Sequence, residues 1–364
     1  MTRLRLILFG GLLPALLPAA AAQPAPVKAH NALVHAVAVS PDGRTVATAG
    51  FDNDIKIWDS AADGSLKEKT VLKGHTGPVY CVAFHPKEPL LVSGSQDKTA
   101  KVWSLADGKV LAEYKGHTDI VHSVAFAPDG RAVASGGTGD KSVKLWNPTD
   151  GKDLKPLGTH AGSVYQVAFS PDGKYLASAS ADKVVKIWDV AAGKEFKQLK
   201  GHEEAVYGVV FAGDDDTVVT VSMDRTIRVW SIKAVKDIKE EKKEPPKKDD
   251  KKDDKKDTPK KDDKKDDKKD PPAPVRNPKD YGEMKLLGPT SDDPFAVAWD
   301  PGTKTLAVCG YSGLVTTWAI DGDKPKFSRA IKNPAYTIAF TAGGRAVLTG
   351  HDNGTLVVTP LAAK

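Results

Sequence analysis

From Gly74 to Trp103 the chain reads GHTGPVYCVAFHPKEPLLVSGSQDKTAKVW. Short β-branched and apolar runs at Val79 to Phe84, Leu90 to Ser93 and Ala100 to Trp103 are separated by the turn-forming clusters His-Pro-Lys-Glu-Pro and Ser-Gln-Asp-Lys, and a fourth run follows at Val110 to Tyr114. Four short strands joined by tight turns make one antiparallel sheet. No helical period appears between the runs, so a parallel α/β architecture is excluded.

The same pattern recurs along the chain. Tryptophans close successive units at Trp58, Trp103, Trp146, Trp188 and Trp230, at intervals of 45, 43, 42 and 42 residues, and two weaker copies end at Trp318 and at Val358, which stands in the tryptophan position of the last unit. A constant period of this length means a repeat array in which each unit covers its neighbour's apolar face. The turns Ser40-Pro41-Asp42-Gly43, Ala127-Pro128-Asp129-Gly130 and Ser170-Pro171-Asp172-Gly173 fall in one slot of the repeat, where Pro presets φ and Gly accepts positive φ.

Gly-His pairs stand at Gly74-His75, Gly116-His117 and Gly201-His202, and Trp-Asp pairs at Trp58-Asp59 and Trp188-Asp189. With these marks the chain resembles the WD-repeat β-propeller family, here in an exported, bacterial-type form. The resemblance implies an all-β fold: a seven-bladed propeller of four-stranded antiparallel blades. Ala29-His30 and Thr159-His160 depart from the pattern, as do Trp103-Ser104, Trp146-Asn147 and Trp230-Ser231, and the last two units lack the histidine before their first strand. The last unit supplies only three strands, so residues 25–29 are expected to complete the seventh blade and close the ring.

His75, Ser93 and Asp97 are the residue types of a nucleophilic triad. The set recurs as His30, Thr48 and Asp52; His117, Ser135 and Asp140; His160, Ser178 and Asp182; and His202, Thr220 and Asp224. A catalytic centre has no use for five copies. In the family, a similar grouping with Trp58, Trp103, Trp146, Trp188 and Trp230 is a hydrogen-bonded structural relay inside each blade, which satisfies polar groups that burial would leave costly.

Four segments are expected: a signal peptide over 1–22, blades one to five over 23–234, a disordered Lys/Asp-rich insert over 235–280, and blades six and seven over 281–364. Arg3 and Arg5 precede an apolar stretch from Leu6 to Leu17 and a small-residue site before Gln23, the pattern of a secretory signal, so a periplasmic or extracellular location is expected. Between Lys236 and Asp270 stand 16 lysines against 14 acids, a nearly balanced polyampholyte that buries no apolar surface. The net charge of +6 falls to about +2 once the signal arginines and the insert's surplus of lysine are set aside, which argues against a nucleic-acid partner. Cys81 and Cys309 lie in strands of different units, outside any metal or haem spacing, so no disulfide and no cofactor is expected.

The functional signal lies in the first strand of each unit. In Val79-Tyr80-Cys81-Val82-Ala83-Phe84 the apolar anchors step by three and then by two, a slip in parity that marks a bulge. The same offset holds His35, Tyr80, His122, Tyr165, Tyr207, Phe295 and Tyr336, all aromatic or imidazole. The resemblance places these positions around the top of the central funnel. An outer set, one residue before each Asp turn, comprises Phe51, Gln96, Gly139, Ala181, Met223, Tyr311 and His351, of which Phe51, Met223, Tyr311 and His351 would enlarge an apolar surface on that face. The chain is therefore expected to be a non-enzymatic, monomeric scaffold binding a protein or peptide partner there. The alternatives are a hydrolase or metal enzyme working in the funnel, where His35, His122 and His351 would approach one ion, and peripheral attachment to the cell envelope through the charged arm.

Overall fold

The computed structural model describes residues 24–61, 63–233 and 282–361. The signal segment and the insert of the sequence reading lie outside these residues. Seven four-stranded antiparallel sheets follow one another along the chain. Blade one is built from Val34–Val39, Thr45–Gly50, Ile55–Ser60 and Leu66–Leu72, and blade two from Val79–Phe84, Leu90–Ser95, Ala100–Ser104 and Val110–Tyr114. The first strand of each blade packs on the first strand of the next, and that of blade seven, Ala335–Phe340, returns to Val34–Val39. The ring is closed.

The seventh blade takes its outer strand from the amino-terminal end. Val27 pairs with Leu356 and Lys28 with Thr355, and the Ala29 and His30 amides donate to the Gly354 carbonyl at 2.9 and 3.0 Å. Two residues of strand thus cover the edge of Thr355–Pro360 that would otherwise stand open. In blade five the third strand, Thr226–Ser231, pairs with the outer strand Glu283–Pro289, and residues 234–281 fall between these two strands in the sequence.

Apolar layers between blades form the core. Ala47, Ala49, Ile55 and Ile57 of blade one meet Val79, Val82, Leu91 and Trp103 of blade two, and Leu348, Leu356 and Val358 of blade seven meet Val34, Val46 and Trp58 of blade one. The tryptophan beat is therefore a packing beat: each indole fills the interface towards the preceding blade. Among the described residues the helical content is one 3-10 turn, Ala342–Gly344.

Candidate functional site

In blades one to five the polar residues of the repeat are joined in one order. The indole N–H of Trp103 donates to Ser93 Oγ at 2.8 Å, His75 Nε2 lies 2.7 Å from the same hydroxyl, and His75 Nδ1 lies 2.7 Å from Asp97 Oδ2. An indole only donates and an ionised carboxylate only accepts, which sets the two ends of the relay: His75 Nδ1 donates to Asp97, and the Ser93 hydroxyl, already accepting the indole N–H, has its own proton to give to Nε2. The same chain runs through Trp58, Thr48, His30 and Asp52; Trp146, Ser135, His117 and Asp140; Trp188, Ser178, His160 and Asp182; and Trp230, Thr220, His202 and Asp224. Burial pushes the carboxyls of Asp140 and Asp182 up, but the hydrogen bonds from their histidines and from neighbouring backbone N–H groups outweigh it and hold both at about 2. Burial lowers the imidazoles of His30 and His202 against the pull of their aspartates.

Blades six and seven replace the relay differently. In blade seven Thr349 stands where Thr48 and Ser93 stand, and the imidazole beside it comes from His351. Its Nε2 is 2.9 Å from Thr349 Oγ1, and its Nδ1 donates to the Pro334 carbonyl at 2.9 Å. This corrects the placement of His351 on the top surface: the residue is 0% exposed. No histidine precedes the inner strand of this unit, so the space an imidazole fills elsewhere is free for a ring from the end of the second strand. It follows that His35, His122 and His351 do not converge on one axial ion. In blade six the carboxylate comes from the opposite side, with Asp292 accepting from the backbone N–H groups of Ser312 and Asp293 at 2.8 and 2.9 Å. Neither substitution carries a spacing signal, because the replacing side chain sits at a different address in the repeat.

At the axis, the register of the inner strand slips at one place in every blade: between Val34 and Ala36, Val79 and Cys81, Val121 and Ser123, Val164 and Gln166, Val206 and Gly208, Pro294 and Ala296, and Ala335 and Thr337. The extra residues are His35, Tyr80, His122, Tyr165, Tyr207, Phe295 and Tyr336. A bulge re-aims its side chain, and all seven line one open cavity of about 350 Å³. Their rings run in an unbroken arc with centroid separations of 4.8, 5.2, 5.3, 4.7, 5.4 and 5.2 Å from His35 round to Tyr336.

The two imidazoles are anchored to the wall. His35 Nδ1 donates to the Tyr80 carbonyl at 2.7 Å and His122 Nδ1 to the Tyr165 carbonyl at 2.9 Å. Burial, reinforced by the neighbouring His122, pushes His35 down to about 3, and burial lowers His122 as well. Burial also raises the phenols of Tyr80, Tyr207 and Tyr336. The seven side chains at the bulges give the funnel mouth an aromatic and imidazole surface. Among the described residues no group of three or more His, Cys, Asp or Glu side chains is placed to hold a metal ion.

The outer set divides. Phe51 stacks on His35 at 5.4 Å and is half-buried, whereas Met223 and Tyr311 are 44% and 59% exposed, beside Tyr207 and Phe295 respectively. Gln96 and Gly139 are exposed and Ala181 is partly covered, adding no ring to the surface. Sequence reasoning missed the polar ties just past the bulges: Ser123 Oγ accepts from Val167 N, Gln166 Oε1 from Val209 N and Thr337 Oγ1 from Val37 N, at 3.0, 3.0 and 3.1 Å. These pin the inner strands of blades three, four and seven to the inner strand that follows each, and the last of them spans the closure of the ring.

The WD domain, G-beta repeat family model matches residues 24–59, 66–104, 108–147, 151–189 and 193–231, more than half of the chain. Nuclear distribution protein PAC1 of Komagataella phaffii is 44% identical over 80 residues, covering 22% of this chain and 16% of that protein. MST50-interacting protein 11 of Pyricularia oryzae is 30% identical over 153 residues, 30% of this chain and 48% of that protein. Small ribosomal subunit protein RACK1y of Oryza sativa subsp. japonica is 35% identical over 155 residues, 30% and 46%. The chain thus spans less than half the length of these curated relatives. Five matched repeats and a closed ring of seven blades agree: the chain belongs to the WD40 repeat family of β-propellers.

Proposed function

We propose that this propeller is an exported, non-catalytic scaffold that binds a protein or peptide partner over the aromatic top face. The observation that carries the reading is the repeated bulge, which turns one ring-bearing residue per blade into a single funnel mouth, with Met223 and Tyr311 standing exposed beside it. Duplication of a packing residue accounts for seven equivalent positions; it does not account for an exposed methionine and tyrosine next to them. Large, stiff aromatic side chains anchor partner side chains at low entropic cost, and methionine adapts its flexible, polarisable chain to irregular partner surfaces. One relative, MST50-interacting protein 11, carries a protein interaction in its name.

The test is cross-linked capture from the cell envelope with wild type and with Met223→Ala/Tyr311→Ala, together with the thermal midpoint of each. Loss of a specific partner at unchanged Tm supports the reading. Equal capture by the double variant places the contact elsewhere and overturns it. Export is tested separately by the intact mass of the chain from the periplasm: cleavage before Gln23 is expected, and a cell-associated chain retaining Met1 contradicts it.

A further inference from the structure

Blade six contains a slot whose shape is defined by the five blades before it. Thr290 stands 18 residues before Val308 as His75 stands 18 residues before Ser93, so this blade lacks both the imidazole and the hydroxyl it would bond. The space has not collapsed. A cavity of about 190 Å³ lies there, walled by Thr290, Asp292, Val308, Thr316 and Trp318. With no hydroxyl at position 308, the Trp318 indole N–H turns to Thr316 Oγ1 on its own strand, at 3.0 Å.

Two further differences open and polarise the slot. In blades one, two, four and five a cation on the third strand pairs with a glutamate on the outer strand beside the relay tryptophan: Lys56 with Glu68, Lys101 with Glu113, Lys186 with Glu195 and Arg228 with Glu283. Blade six has Thr316 and Ser328 facing one another at that place, and the cover is absent. The carboxylate is retained from a new address. A Cβ added at Gly310 would lie 2.7 Å from Asp292 Oδ2, just as one at Gly50 would lie 2.6 Å from Asp52 Oδ1 and 2.4 Å from His30 Nδ1. Asp292, itself 9% exposed, therefore brings an acceptor to the point where histidine and aspartate meet in blade one.

We propose that the blade-six slot binds a small imidazole-type heterocycle, which donates one ring N–H to Asp292 and lies against Trp318 beside Thr316 Oγ1, much as the internal histidines of blades two, four and five donate to their aspartates and lie against their tryptophans. The slot is independent of the top-face reading: its walls are relay and outer-strand residues, and neither Met223 nor Tyr311 lines it.

The experiment follows the indole N–H signals of the protein's seven tryptophans, with Trp318 assigned from Trp318→Phe, while imidazole or, separately, N-acetyl-histidine methylamide is added. A saturable shift confined to Trp318, with Tm rising with the logarithm of probe concentration, is expected for imidazole. A response to the second probe as well identifies a partner's histidine side chain as an acceptable occupant, and a response to imidazole alone restricts the site to free heterocycles. Thr290→His should supply the ring covalently, raise Tm and abolish the shift, and Asp292→Asn should weaken binding at least about tenfold, the cost of replacing a charged acceptor. No Trp318 shift in the wild-type protein overturns the proposal whatever the variants do, as does an equal shift in Thr290→His.

Discussion

Replacing His75 with alanine tests whether the five-fold constellation holds the blades together. In the folded protein Ser93 is 0% exposed and receives the Trp103 indole N–H at 2.8 Å, so its own proton can go only to His75 Nε2. Asp97 keeps the Thr76 and Thr99 amides at 3.0 Å each and the Thr99 hydroxyl at 2.7 Å, but loses the imidazole. Losing a hydrogen bond to a charged acceptor costs about 1.5–3 kcal/mol, and a buried hydroxyl with no acceptor about 1–3 kcal/mol. Part of the vacated ring volume also persists as a cavity. The expected loss is about 3–5 kcal/mol, read at pH 7 as a lower urea midpoint with unchanged m. Because the penalty arises largely from stranding Ser93, His75→Ala/Ser93→Val should cost less than the sum of the two single changes, by about 1 kcal/mol or more. A loss under about 1 kcal/mol for His75→Ala, or strict additivity in the double variant, refutes the argument.

Three other outcomes follow from the same geometry. His35 is held at about 3 by burial, below its unfolded value of about 6.5, so the unfolded chain takes up the proton first; stability falls as pH drops from about 6.5 towards 3, by up to about 1.4 kcal/mol per unit. His35→Phe should flatten that part of the stability curve, and an unchanged slope in denaturant titrations at pH 7, 6, 5 and 4 contradicts the assignment. A Cβ at Gly94 would lie 2.7 Å from both Cys81 Sγ and Val121 Cγ1, so Gly94→Val should lose about 1–3 kcal/mol through overpacking between blades two and three, measured by thermal melting; a neutral effect would falsify the tight contact. A chain beginning at His30 lacks Val27–Lys28 and uncovers the edge of Thr355–Pro360, and light scattering should then detect association, whereas a monodisperse monomer with unaltered Tm shows the clasp to be dispensable.

Most of the fold was legible because its signals are periodic. The tryptophan beat gave the blade count, the Pro-Asp-Gly turns gave the strand boundaries, and the short last unit pointed to the amino-terminal strand that closes it. Even the bulges could be read, since an inner strand whose apolar anchors step by three and then by two cannot pair without an extra residue. Burial of individual side chains was much less legible. Phe51, Met223, Tyr311 and His351 hold the same slot of the repeat, yet the first stacks on His35, the next two stand in solvent and the last is sealed inside its blade. Position in the repeat fixes where the Cα lies; what the side chain touches depends on which neighbours the other strands supply.

Blades six and seven show how that dependence operates. What a blade requires at this point is an acceptor for the amide at the top turn and a partner for whatever polar group the second strand buries. In blade seven Thr349 retains its hydroxyl, and an imidazole reaches it from two residues along the same strand. In blade six the second strand offers Val308, no imidazole is required to satisfy it, and the remaining demand, the Ser312 amide, is met by Asp292 from across the sheet. Both solutions follow from the rule that a buried donor or acceptor is expensive only when its partner is missing. The histidine can therefore be dispensed with where the hydroxyl is lost alongside it, and has to be replaced where the hydroxyl remains. On this reasoning Thr349→Val should make His351 replaceable by leucine, whereas His351→Leu alone should strand the Thr349 hydroxyl and cost about 1–3 kcal/mol in the same urea assay.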